Sequence, residues 1–187
     1  MKYLIAGLGN IGSEYSDTRH NAGFMVLDAL AKASNVTFAD SRYGAVAELR
    51  HKGRIFVLLK PSTYMNLSGR AVNYWMQKEK VGVENILVVV DDIALPLGSI
   101  RIRAGGSNGG HNGLKNIDEV LGTNRYTRLR VGIGNDFSRG QQIDYVLGEW
   151  TADEKKLLSD RIKLAGEAVL SYGTIGLERT MNFFNGK

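Results

Sequence analysis

The chain has 187 residues, no cysteine, 24 lysine and arginine residues against 19 acids, and a net charge of +5. That excludes disulfides, a cysteine nucleophile and thiolate metal sites, while 43% hydrophobic and 23% charged residues describe an ordinary folded protein. No run approaches the roughly 20 apolar residues of a membrane span, the N-terminal apolar run is too short for a secretion signal, and the length suits a single domain over 1–187.

Residues 2–8 are an apolar run bounded by glycine, the pattern of a buried strand. A polar connection over 12–21 follows, longer than a strand-to-helix link needs. It carries Tyr15, Asn21 and His20, one of three histidines in the chain. A helix is expected over 22–34, with Met25, Leu27, Leu30 and Ala31 as its apolar stripe. Strands over 44–50 and 54–60 flank a hairpin turn at His51-Lys52-Gly53, and Pro61 ends the second. A helix over 67–80 turns Ala71, Val72, Trp75 and Met76 inward. The short apolar strand 85–90 runs into Asp91-Asp92. Strand 99–103, a glycine-rich loop over 104–113, helix 114–121 and strand 128–133 come next. A helical stretch over 141–147, a long amphipathic helix over 151–172 opened by a capping-box pattern at Thr151 and Glu154, and a last short helix over 176–184 complete the series. Strands alternating with helices, plus one hairpin, imply an α/β three-layer sandwich: a mixed, mostly parallel twisted sheet flanked by helices.

Two glycine motifs point to chemistry that their surroundings do not support. Gly7-Leu8-Gly9-Asn10-Ile11-Gly12 fits the dinucleotide fingerprint, but that motif needs a helix opening at the glycines, and a polar loop intervenes. Asp40 comes too late for the ribose-binding acid. Gly105-Gly106-Ser107-Asn108-Gly109 fits a nucleophile elbow, yet the one downstream histidine, His111, is four residues away. No phosphate-binding P-loop sequence occurs, and the histidine spacing matches no metal motif.

Another group of residues has a consistent place. Asn10, Tyr64-Met65-Asn66, Asp91 and His111-Asn112 all follow strands, where open α/β sheets bind ligands, and His20 hangs on a loop from the same edge. A neutral histidine can take a proton from water, and a carboxylate can fix its tautomer and steady the imidazolium. Asparagine amides at Asn66 or Asn112 could donate to an oxyanion. Both also sit at helix starts, where an asparagine often only caps the helix.

At these positions the sequence resembles bacterial peptidyl-tRNA hydrolase. The blocks are Gly7 to Gly12, Thr18-Arg19-His20-Asn21-Ala22-Gly23, Tyr64-Met65-Asn66-Leu67-Ser68-Gly69, Asp91-Asp92 and Gly109-Gly110-His111-Asn112-Gly113-Leu114-Lys115, and in this order they cover nearly the whole chain. The resemblance implies hydrolysis of the ester between a peptide and the 3′ end of tRNA, with His20 as base, Asp91 as its partner and Asn10 telling blocked from free α-amino groups. It implies that Tyr15, Tyr64, Asn66 and Asn112, with Asn21, Met65 and His111, meet the peptide and the tRNA end, and that Arg101, Arg103 and Arg130 meet phosphate. It implies no metal or organic cofactor, a cytoplasmic location and a monomer. The chain departs from the family at Ile11, often proline there, at Ala94, often an acid, and at Arg101 and Arg103, more usually lysines. A non-catalytic RNA-binding protein of the same fold, like a plant organellar splicing factor, and an oxidoreductase built on Gly7 to Gly12 are the competing readings. The base–acid pair favours the enzyme, because a pure binder has no physical need of one.

Overall fold

The computed structural model describes residues 1–187. In chain order its strands are β1 (Lys2–Gly7), β2 (Ala39–Ser41), β3 (Gly44–His51), β4 (Arg54–Pro61), β5 (Ile86–Asp92), β6 (Ile100–Arg103) and β7 (Thr127–Gly132). The helices are α1 (Ala22–Ala33), α2 (Ser68–Lys78), α3 (Asn112–Leu121), α4 (Gln142–Val146), α5 (Ala152–Ile175) and α6 (Leu177–Phe184). One sheet holds all seven strands in the order β2-β3-β4-β1-β5-β7-β6. β4, β1, β5 and β7 are mutually parallel; β3 and β6 run against them, and β2 pairs antiparallel with β3. The mixed, mostly parallel sandwich expected from the sequence is the fold observed.

The period-two alternation of the strands divides the core. Tyr3, Ile5, Leu87, Val89, Leu129 and Val131 pack with α1 and α5, while Leu4, Ala6, Val88 and Val90 pack with α2 and α3. Both faces are covered, so the central strands read as continuous apolar runs. The edge strand β2 is exposed at every residue and has no apolar signature, so the sequence does not announce it. α5 runs past the expected stop at Tyr172, because Gly173 there accommodates the Phe56 ring rather than ending the helix. β6 lies at the other edge, where Asn185 receives its Ile102 N–H at 2.7 Å and donates to its Ile102 carbonyl at 3.0 Å, closing one residue of an open edge.

Two glycines of the apparent fingerprint region have a packing role. A Cβ on Gly7 would strike the Gly23 carbonyl, and one on Gly23 would strike the main chain of Leu8 and Val89. α1 therefore approaches β1 and β5 more closely than any side chain allows. It begins at Ala22, not at the glycines, so no helix N-terminus faces the Gly7–Gly12 turn. The motif serves close helix–strand contact. Gly23→Ala is expected to lower stability by about 1–3 kcal/mol through overpacking, read as a fall in the thermal or denaturant midpoint; an unchanged midpoint would show that the contact can relax.

Candidate active site

Asp91 ends β5 and is 3% exposed. Its carboxylate receives two imidazoles. Nδ1 of His20 lies 2.8 and 3.0 Å from the two oxygens, and Nε2 of His111 lies 2.8 Å from one of them. Because a carboxylate only accepts, both nitrogens carry the proton. The His111 tautomer is fixed a second time: its Nδ1 accepts from the main-chain N–H groups of Gly113 and Leu114, which caps α3. His20 has no such second bond, so its Nε2 lone pair remains available on the side away from Asp91. Burial alone would push the Asp91 carboxyl up, but His111 and then His20, through charge and hydrogen bonding, hold it well below the usual carboxylate range. The group is therefore ionised at any pH near neutrality.

His20, Asp91 and His111 also place three ligand-type atoms within 4.8 Å of one another. A metal between them would need a lone pair on Nε2 of His111 while Nδ1 already spends its own on the α3 cap. A neutral imidazole has one lone pair to give. The trio suits an ionised carboxylate that orients two imidazoles rather than a metal.

Asn10 stands on the other side of the cleft, just past β1. Its Oδ1 accepts from the Met65 N–H at 2.7 Å, which orients the amide and leaves Nδ2 as the free donor. Asn21 is 1% exposed; it accepts from the Asn10 N–H at 2.8 Å and donates to the Asn10 carbonyl at 2.9 Å. Asn21 thus braces Asn10 with both ends of its amide. Met65 is buried in the core and acts through its main chain. Asn66 and Asn112 are exposed and line a cleft with Asn10, His20 and Met65. Neither caps a helix: α2 has no side-chain cap, and His111 caps α3. Tyr64 sits at φ 62°, ψ 161°, a backbone region that side chains seldom tolerate; the residue is 49% exposed and precedes the cleft residues Met65 and Asn66. Tyr15 closes a single 3₁₀ turn over Ser13–Tyr15 in the polar loop and does not line the cleft.

His111 reaches Asp91 by a route that differs from the sequence reading. β6 is antiparallel to β7, so it ends away from the cleft, and the glycine-rich loop has to travel back. Two arginines of β7 hold the return. Arg128 is fully buried and donates to the carbonyls of Gly106, Ser107 and Asn124. Arg130 donates to Ser107 at 2.6 Å and lies 3.8 Å from Asp92. Arg130 therefore belongs to the cleft wall, whereas Arg101 and Arg103 are exposed on β6. Ser107 receives the Gly109 N–H on its hydroxyl and makes a turn, not a nucleophile elbow. Asp92 accepts the Ala94 N–H, so the residue in place of the frequent acid contributes its main chain.

The residue that sequence reasoning passed over is Arg19. Its guanidinium donates to the Tyr145 carbonyl at 3.0 Å, pairs with Glu154 at 2.9 Å and covers the Tyr145 ring at 4.2 Å. Main-chain bonds from Arg19 to Gly148 and from Trp150 to Asp17 complete the join. The same Glu154 oxygen accepts the Thr151 N–H in the α5 capping box. α4 is thereby fastened beside His20, and Ile143, Val146 and Leu147 form the remaining wall. An arginine next to the catalytic candidate was visible in the sequence, but its partner Glu154 is 135 residues away.

Comparison with known proteins gives one answer. The family model described as peptidyl-tRNA hydrolase matches residues 4–187. Peptidyl-tRNA hydrolases of Bacteroides fragilis and Phocaeicola vulgatus are 59% and 60% identical over 187 residues, with all of both chains covered in each case. The crystal structure of peptidyl-tRNA hydrolase from Acinetobacter baumannii superposes with a TM-score of 0.91 at 36% identity, covering 98% of this chain and 94% of that one.

If Arg19 fastens α4, Arg19→Ala should speed amide exchange in α4 about tenfold or more while leaving β1 and β5 protected, since the ion pair, the hydrogen bond and the cation–π contacts with Tyr145 and Trp150 are lost together. Unchanged exchange in 142–146 would mean the wall stands without it.

Proposed function

The chain belongs to the peptidyl-tRNA hydrolase family and hydrolyses peptidyl-tRNA, and on that premise we propose that His20 is the general base of the reaction. The observation that carries this reading is the 2.8 Å contact between His20 Nδ1 and the buried Asp91, which leaves Nε2 free in a cleft lined by Asn10, Asn66 and Asn112. Neither a non-catalytic RNA binder nor an oxidoreductase is supported by relatives that carry the hydrolase name.

In the reaction Nε2 takes a proton from water as the water oxygen attacks the ester carbonyl. The imidazolium is steadied by Asp91, whose lowered pKa keeps it negative. Asn66 or Asn112 donates an amide N–H to the oxyanion. Collapse breaks the bond to the tRNA 3′ oxygen, which leaves with the proton held on Nε2. His111 works through Asp91: it donates to one oxygen and ties the carboxylate to the start of α3.

Asn10 gives selectivity a physical basis. Its oriented amide presents a donor. An acylated nitrogen brings a carbonyl oxygen to accept that hydrogen, whereas a free α-ammonium brings only hydrogens and is turned away. Arg101 and Arg103 present charge to tRNA phosphate from β6. The protein acts as a single-domain monomer in the cytoplasm, where its substrate arises from translation; its basic balance suits a nucleic-acid partner. No helix is long and apolar enough to cross a membrane.

His20→Ala is expected to lower kcat about 10²–10⁴-fold while holding tRNA affinity, measured by release of N-acetyl-amino acid from charged tRNA; near-normal turnover would remove His20 from the mechanism. Asp91→Asn should fail comparably, because its amide turns an N–H toward one of the two imidazole donors. Replacing Arg101 and Arg103 together by alanine should flatten the salt dependence of tRNA binding by about one unit of slope per arginine. An unchanged slope would take them off the tRNA path.

A further inference from the structure

A second concavity begins where the catalytic cleft ends. Asn10 lines both, and the second one, about 520 Å³, extends away from His20 between α1 and the β2–β3–β4 edge. Ile11, Phe24 and Met25 supply its apolar surface, and Asp28, Asp40 and Lys60 its charges. Register places Asp40 opposite Ala45 and Ala45 opposite Lys60, so the two residues stand in one row across the strands, their main chains two strand spacings or roughly 10 Å apart. Lys60 is already committed: it lies 2.6 Å from Asp28 and 4.4 Å from the Phe38 ring centroid. Asp40 is exposed and belongs to none of the ion pairs of the chain. In a protein of net charge +5 the groove thus carries one uncompensated negative charge.

We infer that this groove is the subsite for the peptide residues preceding the ester-linked one, and that Asp40 gives it a preference for a cationic side chain. The assignment rests on the reading of His20 and Asn10 given above. With the ester carbonyl at His20 and the acylated nitrogen at Asn10, the next residue, about 3.3–3.6 Å further along an extended chain, passes to the far side of Asn10. There it enters a space within the range that encloses small ligands, roughly 300–1,000 Å³. A lysine or arginine on that residue meets Asp40, whereas an aspartate or glutamate meets a like charge.

The test compares N-acetyl-Lys-Ala-tRNA with N-acetyl-Glu-Ala-tRNA, with N-acetyl-Ala-tRNA as the substrate that reads the ester site alone. The wild-type kcat/KM should favour the lysine substrate about three- to tenfold, as expected for one solvent-exposed attraction set against one repulsion. Asp40→Lys should invert the preference, and 0.5 M salt should shrink it in the wild type without any variant. A wild-type ratio of one, a ratio that Asp40→Lys leaves unchanged, or a ratio indifferent to salt overturns the inference. Cleavage of N-acetyl-Ala-tRNA that survives His20→Ala would instead strike the catalytic reading, so the two failures are distinguishable.

Discussion

One buried carboxylate organises this molecule. Asp91 sits at the end of the central parallel strand and receives an N–H from each of two histidines that lie 91 positions apart in the chain. A carboxylate so enclosed is tolerable because both oxygens are met by donors. Removing either imidazole would leave a buried charge short of a partner, which is expensive in a way an exposed ion pair is not. The same contact fixes the tautomer and direction of the His20 ring, so what the buried charge requires also orients the imidazole.

Everything around Asp91 brings a donor to it. The Gly7–Gly23 approach lets α1 lie against β1 and β5, which sets the 12–21 loop over the strand ends. Arg128 and Arg130 pull the glycine-rich loop back from the far end of β6, so that His111 can reach the same carboxylate. The Asn21 amide seals the main chain of Asn10. Loops rich in glycine and polar residues have little apolar surface to hold them, and here hydrogen bonds from buried arginine and asparagine do that work instead.

Periodicity and apolar runs were enough to locate six of the seven strands, the helices and the sandwich, because those features follow from what each element must bury. β2 escaped since its three residues bury nothing. At the site, His20, Asp91 and Asn10 stood out as chemistry-bearing residues at strand ends. Their order of importance did not. The spacing between Asn10 and Asn21 holds no hint that one amide wraps the main chain of the other. A histidine before a helix does not reveal that it caps the helix with one nitrogen and binds Asp91 with the other. The antiparallel direction of β6 decides where the glycine loop must go, and direction is a property of the assembled sheet. Nothing beside Arg19 and Arg128 in the sequence marks them as anchors, because their partners, Glu154 and a set of carbonyls, are brought near only by folding.

The bond from Arg19 to Glu154 also has a consequence in time. A ribosome makes the chain from its N-terminus, so His20 is among the first residues to emerge and the segment that walls its cleft is among the last. Until residue 154 has left the exit tunnel, the Arg19 guanidinium lacks its ion-pair partner and holds α4 through the Tyr145 carbonyl and ring alone. A nascent copy of this protein is itself a peptide joined to tRNA by the very bond the finished molecule cuts. Dividing the cleft between the two ends of the chain delays the appearance of an active cutter until most of its own synthesis is over.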